Sequence, residues 1–333
     1  MLKNLKKQIK LLIKKVSDYF INLYNKIPHI RSHKAWKKSI LIIFVMFFIL
    51  YYPLGAILTH NINTDLNYEP NTEKTTSASI DALSHLIYQE VYENTWTPSL
   101  PFIFPAAILD NMPSFQQGVI SSVQKTAEAL AQTQTGVIAS EQQNPLLTAA
   151  ELLKYPPTIW MFSANNQLAP SSNSQYRRAR KHLQKYNDLI SDGRASFSVT
   201  PDNLRILLNA VGKDLFNTAI NLEDHIREHN GITDIKSDES FYYTQGKMFG
   251  YYIISKGIMN DYKNILIDYN LYPIFTSIQK ALENASLLSP LIIRNSNPQS
   301  IFGANHLFVL GHYALKTSLL IRQLISKLPT ANN

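Results

Sequence analysis

The chain has 333 residues, 45% of them hydrophobic and 17% charged, with 11 Gly, 16 Pro and no Cys. That usage excludes collagen-like, low-complexity and wholly disordered classes. The net charge of +8 is confined to one end: residues 1–38 carry eleven Lys/Arg against the single acid Asp18, and the rest carries 21 bases and 23 acids. A near-neutral body offers no electrostatic footprint to nucleic acid, and a chain without Cys has no thiol catalysis.

The basic arm spans residues 1–38. Leu2, Leu5, Ile9, Leu12, Val16, Tyr19, Leu23 and Ile27 recur at intervals of three and four, which predicts one apolar stripe on a helix that Pro28 ends. Lys3, Lys6, Lys7, Lys10, Lys14 and Lys15 fill the opposite face. A coiled coil using the stripe as its seam needs acids facing these lysines, and the flanking positions supply none. An amphipathic helix lying on the anionic cytoplasmic leaflet satisfies the same charges, so these lysines are the expected contacts with anionic lipid.

Residues 39–58, SILIIFVMFFILYYPLGAIL, are uncharged. At about 1.5 Å per residue a helix of this length crosses the hydrocarbon of a bilayer. Trp36, Ile40, Phe44, Phe48, Tyr51 and Tyr52 are the expected anchoring side chains, and Pro53 is tolerable as a kink in a membrane helix. Four Lys/Arg lie from Arg31 to Lys38, whereas beyond the span the first base is Lys74. The positive-inside rule therefore places the N-terminus in the cytoplasm and residues 60–333 across the membrane. A cleavable signal peptide is the rival reading, but its basic and apolar regions would both be too long.

Residues 59–77 are polar and read as a linker, and residues 78–330 as an exported all-α domain of about seven to nine helices. The expected helices are 78–93, 114–135, 145–153, one opened by Ser172 or Ser174 and closed by Gly193, one opened by Thr200-Pro201-Asp202, one from Ser237 to about 267, 271–286 and 304–327. Pro98, Pro101, Pro105 and Pro113 predict an extended, ordered loop over 95–113. Only Phe197 to Val199 hints at a strand. Gly246 and Gly250, four apart, allow a close helix crossing. The apolar run Ile301–Ile321 contains Asn305, His306, His312 and Lys316, which favours a helix of the bundle over a second span.

Signals for chemistry are sparse. His225 and His229 spell H-x-x-E-H with Glu228, a spacing that puts two imidazoles on one helix face as in zinc hydrolases. The surrounding segment is almost wholly polar, so the pair reads first as a solvated helix end. No nucleophile elbow, phosphate-binding loop or dinucleotide fingerprint occurs. No catalytic residue, metal or cofactor is expected. Asp110, Asn111, Asn187, Asp202, Asn203, Asn305 and His306 stand out as polar residues in apolar context. They are read either as helix caps and loop anchors or as a shared polar groove.

Several of these phrases carry a resemblance. LDNMPSFQQG (Leu109–Gly118), YRRARKHLQKYNDLISDGRASF (Tyr176–Phe197), PDNLRILLNAVGKDL (Pro201–Leu215) and the C-terminal Leu288–Ser296 with Ala304–Leu324 resemble the bacterial family called domain of unknown function 2333. The resemblance implies an envelope protein anchored in the inner membrane, and it implies no activity. Three functions stay open: a structural or interaction component with an envelope protein partner, a small-ligand or lipid-binding module, and a membrane-tethered hydrolase. A flat exposed patch of Tyr and Phe beyond roughly a few hundred Å² would favour the first, an enclosed apolar cavity the second, and a cleft with two facing carboxylates, or a third metal ligand beside His225 and His229, the third.

Overall fold

The structure, a computed structural model, describes residues 33–70, 76–134, 144–163, 167–228, 235–290 and 305–329, with Leu11, Lys14, Lys15, Asp18 and Asn165. Among the described residues it is all-α, and the chain divides into two compact units, residues 1–60 with 102–108, and the remainder. Leu11, Lys14, Lys15 and Asp18 are helical and exposed; Lys3, Lys6, Lys7, Lys10 and the other arm residues before His33 lie outside the described residues.

The first unit is built on α1, His33–Thr59. Its segment Ile42–Thr59 has a mean hydropathy of 2.2 and is the one helix among the described residues long and apolar enough to cross a membrane. Ile40, Phe44 and Phe48 are exposed along it, and Trp36 is described in its backbone only. Rings contact one another down the helix, with Phe44 and Phe48 tilted and their centroids 4.7 Å apart, and Phe47 and Tyr51 stacked at 5.2 Å. The same unit holds a short 3-10 turn, Pro105–Ile108.

Among its described residues the second unit holds nine helices, α2 (Ala78–Tyr88), α3 (Asn111–Thr133), α4 (Pro145–Leu153), α5 (Ser172–Ser191), α6 (Pro201–Glu228), α7 (Ile235–Asp261), α8 (Lys263–Asp268), α9 (Tyr272–Ser286) and α10 (His306–Lys327). Local chemistry sets their ends. Asn144 caps α4 by accepting from the Leu146 N–H, with Pro145 at the first position, as the sequence predicts. Ser171 rather than Ser172 caps α5, because Ser172 Oγ is committed to the Pro156 and Ile159 carbonyls. Gly193 closes α5 with φ +69°, a conformation that costs glycine nothing.

Helix α7 is buried around much of its circumference because it lies among α2, α3, α9 and α10, enclosing Phe241, Met248, Phe249, Ile253, Ile254 and Ile258. Three glycines set its approach to α3. A Cβ on Gly118 would overlap the Tyr243 carbonyl oxygen, one on Gly246 the Phe115 carbonyl oxygen, and one on Gly250 the Ser122 hydroxyl.

Four expectations are corrected. The helix opened by Ala78 continues as a π-helical turn, Gln89–Glu93, where Arg177 donates to the Val91 carbonyl and lies 4.1 Å from the Tyr92 ring centroid. Helix α3 starts at Asn111, three residues early, since a proline in the first turn of a helix forfeits no intrahelical bond. The strand hint at Phe197–Val199 meets no strand: Gln134 Oε1 accepts from the Ser198 N–H and Gln134 Nε2 donates to its carbonyl, so a side chain takes the place of a ladder. The long helix from Ser237 breaks into α7 and α8 at Tyr262.

Residues 61–70, predicted as linker, run extended across the second unit. Lys256 Nζ donates to the Leu66 and Tyr68 carbonyls, Asn61 Nδ2 donates to Asn94 Oδ1, and Ile62, Leu66 and Tyr68 pack on the core.

Candidate functional site

Exposed apolar side chains of the second unit line up along α6 and α10. Helix α10 buries Leu307, Leu310, Ala314, Ile321 and Leu324, the spacing of one inward stripe. A second stripe, Phe308, Leu315 and Leu319, faces outward, with Phe308 55% and Leu319 50% exposed. On α6, Phe216 and Ile220 are likewise exposed, one turn apart. Between the two helices lies a groove of about 410 Å³, floored by Leu222 and Ile226 and walled by Ile220, Phe308 and Leu315. Gly311 leaves room for it, the nearest side-chain atom being Leu222 Cβ at 3.7 Å from where a Cβ would stand. Glu223 and Arg227, paired with each other, and His312 form its polar margin. An apolar floor within a polar margin, open to solvent, is the anatomy of a contact surface.

A second cleft of about 400 Å³ is polar and lies among α3, α6 and α7, lined by Gln117, Thr218, His225, Glu239, Tyr243 and Lys247. At its floor Lys247 Nζ meets Asp214 Oδ2 at 3.0 Å and Thr218 Oγ1 at 3.2 Å, and the Tyr251 hydroxyl donates to Asp214 Oδ2 at 2.7 Å. Burial, with the Asp214 carboxylate beside it, pushes the Tyr251 phenol well above its usual range, so it stays protonated as a donor. The ammonium and carboxylate neutralise each other and leave no net charge to hold an anion.

A third polar cluster is buried. Glu90 sits in the π-helical turn at 1% exposure. Asn94 Nδ2 lies 3.4 Å from its Oε2, and its Oε1 meets no donor among the described residues. Burial raises its carboxyl to about 7, only partly offset by the amides of Asn94 and Gln116. Gln116 fixes the backbone around it, donating to the Glu90 and Thr95 carbonyls and accepting from the Thr97 N–H and hydroxyl. The acid beside it, Glu93, is exposed on the same turn, so the two do not face each other across a cleft as a hydrolytic pair requires.

The predicted site residues serve helix starts. Asp110 caps α3 by accepting from the Asn111 N–H, and Asn111 buries a side-chain oxygen that meets no donor among the described residues. Asn187 brackets the start of α2, accepting from the Ser77 N–H and donating to its carbonyl. There Asp261 completes the cap, accepting from Ser77 Oγ and the Ala78 and Ser79 N–H groups. Asp202 pairs with Arg205 in the first turn of α6, and Asn203 donates to the Ser198 carbonyl. Asn305 caps α10, and His306 stands 6.5 Å from the Phe241 ring. These are four separate helix starts, and the groove and the polar cleft are lined by other residues. His225 Nε2 lies 3.4 Å from Ser237 Oγ, and His229 is outside the described residues. Among the described residues no three His, Asp or Glu are placed to share a metal ion.

The sequence reading passed over Phe216, Ile220, Phe308, Leu315 and Leu319. Their signal was present: α10 carries apolar residues on more faces than one partner helix can cover. No curated protein and no solved structure matches the chain. Residues 99–239, which contain α3 to α6, match the model of a family described as an uncharacterized protein conserved in bacteria (DUF2333).

Proposed function

We propose that the chain is a membrane-anchored structural or interaction protein of the bacterial envelope, with a periplasmic helical module that docks a protein partner. The observation that carries this reading is the exposed apolar groove between α6 and α10. An apolar face of this kind, within a polar margin, marks a contact site on a protein surface. The run Ile42–Thr59 supports a single-span anchor in the inner membrane. The lysines on one side of it support a cytoplasmic N-terminus, with the arm on anionic lipid and residues 60–333 in the periplasm. The groove fits an amphipathic helix presenting two or three apolar side chains at helical spacing.

The test is site-specific photocrosslinking in cells. A photoreactive residue at Leu315 gives a discrete adduct with a second protein, one at Lys185 does not, and Ile220→Asp abolishes the Leu315 adduct. An adduct only with another copy of the chain, or none, overturns the partner. A reporter fused after Asn333 that is active only in the cytoplasm overturns the topology.

A second reading uses the same groove for a lipid acyl chain, which its volume of about 410 Å³ accommodates. Leu315 labels that crosslink to extractable lipid rather than to protein would select it.

A further inference from the structure

Residues 100–109 read LPFIFPAAIL, ten apolar residues in succession between helices of the second unit. Within them, 102–108 belong to the compact unit of α1. The Tyr52 hydroxyl donates to the Phe102 carbonyl at 2.8 Å and the Tyr51 hydroxyl to the Ile103 carbonyl at 3.1 Å. Pro105 packs against Gly55 so closely that a Cβ there would overlap its ring. The segment therefore lies alongside α1 from the level of Tyr51 to that of Gly55. Tyr51 precedes Thr59 by eight residues, about 12 Å of helix, so a span that ends near Thr59 carries this level below the membrane surface.

We infer that residues 102–108 form a second membrane element, an apolar hook inserted beside α1 and covered by lipid acyl chains; this rests on the anchoring reading above. Its side chains suit that solvent: Phe102 is 78% exposed, Ile103 52%, Phe104 39% and Ile108 56%. Part of its backbone is provided for as well. Irregular chain enters hydrocarbon only where its polar groups find partners. Here the carbonyls of Phe102, Ile103 and Phe104 each accept a hydrogen bond, the last from the Ala107 N–H at 3.0 Å, and Pro101 and Pro105 have no N–H to satisfy. Tyr51 and Tyr52 thus act through their hydroxyls as backbone partners within the unit. The short segment leaves the membrane on the side it entered, so it adds no crossing.

The chain has no Cys, which makes single-cysteine labelling direct. Full-length Phe48→Cys, Ile103→Cys, Ile108→Cys and Lys185→Cys, each carrying a nitrobenzoxadiazole dye, are reconstituted into phosphatidylethanolamine–phosphatidylglycerol vesicles with or without brominated acyl chains. Ile103 and Ile108 are exposed, so neither substitution removes core packing. The expected result is loss of emission to bromolipid at 48, 103 and 108, with protection from aqueous iodide, and the reverse at 185. Quenching by bromolipid at 48 but not at 103 and 108 overturns the hook and leaves the anchor standing. Dye at 103 shielded from iodide yet untouched by bromolipid assigns the patch to a protein neighbour and also overturns it. No lipid quenching at 48 overturns the anchor, and the hook with it.

Discussion

Lys247 on α7 and Asp214 on α6 form an ion pair of 3.0 Å whose side chains are almost wholly withdrawn from water. Such a pair contributes little relative to two apolar residues, but removing one partner strands the other charge. Asp214→Asn is expected to cost about 3 kcal/mol, and the double replacement Lys247→Met with Asp214→Leu to cost less than either single change. Urea unfolding of the detergent-solubilised protein, followed by tryptophan emission, measures both. Additive effects would show that the pair is not coupled.

The crossing of α3 and α7 depends on the missing side chain of Gly118, because a Cβ would meet backbone that no rotamer change moves aside. Gly118→Ala is expected to destabilise by about 3 kcal/mol. Gly311→Ala, with its nearest neighbour at 3.7 Å, is expected to stay within about 1 kcal/mol of the parent and on the stabilising side, through helix propensity. Thermal midpoints of the two variants give the comparison.

Glu90 ties stability to pH. Its folded carboxyl titrates near 7, above the ordinary range of about 4 to 4.5, so the native state binds this proton more tightly than the unfolded chain. Its favourable contribution is complete below that ordinary range and is lost as pH rises through about 7. The loss is on the order of 3 kcal/mol between pH 4 and pH 8. Glu90→Gln is expected to flatten this dependence and to be the more stable form at pH 8. Parallel pH profiles for the two proteins would contradict it.

The α6–α10 groove is expected to separate binding from folding. Phe308→Ser and Leu319→Ser remove exposed side chains and are expected to change stability by no more than about 1 kcal/mol. Both are expected to abolish the crosslink from Leu315. A much larger loss of stability would mean that these residues serve the fold rather than a partner.

The basic arm is expected to bind by charge and apolar area together. A peptide of residues 1–30 should partition onto anionic vesicles and not onto neutral ones, with Lys14→Gln and Lys15→Gln each weakening binding by about 1 kcal/mol. Equal binding to both vesicles, or helicity that grows with peptide concentration in buffer, would count against it.

What the sequence by itself determined here is local. A side chain that caps its own helix is read within a few residues, so Asn144-Pro145 and Thr200-Pro201 located helix starts. The apolar run of α1 and the lysines before it are equally contiguous. Three features belong to the tertiary structure alone. The hook reaches Tyr51 and Tyr52 from fifty-two and fifty residues away. The Glu90 carboxyl is buried by elements remote from it in the chain, so nothing around it in sequence distinguishes it from an exposed acid. The exposed stripe of α10 is apolar like its buried stripe, and periodicity marks both as apolar without saying which of them a partner helix covers. Local chemistry sets where a helix begins, but which face it buries depends on contacts between distant segments.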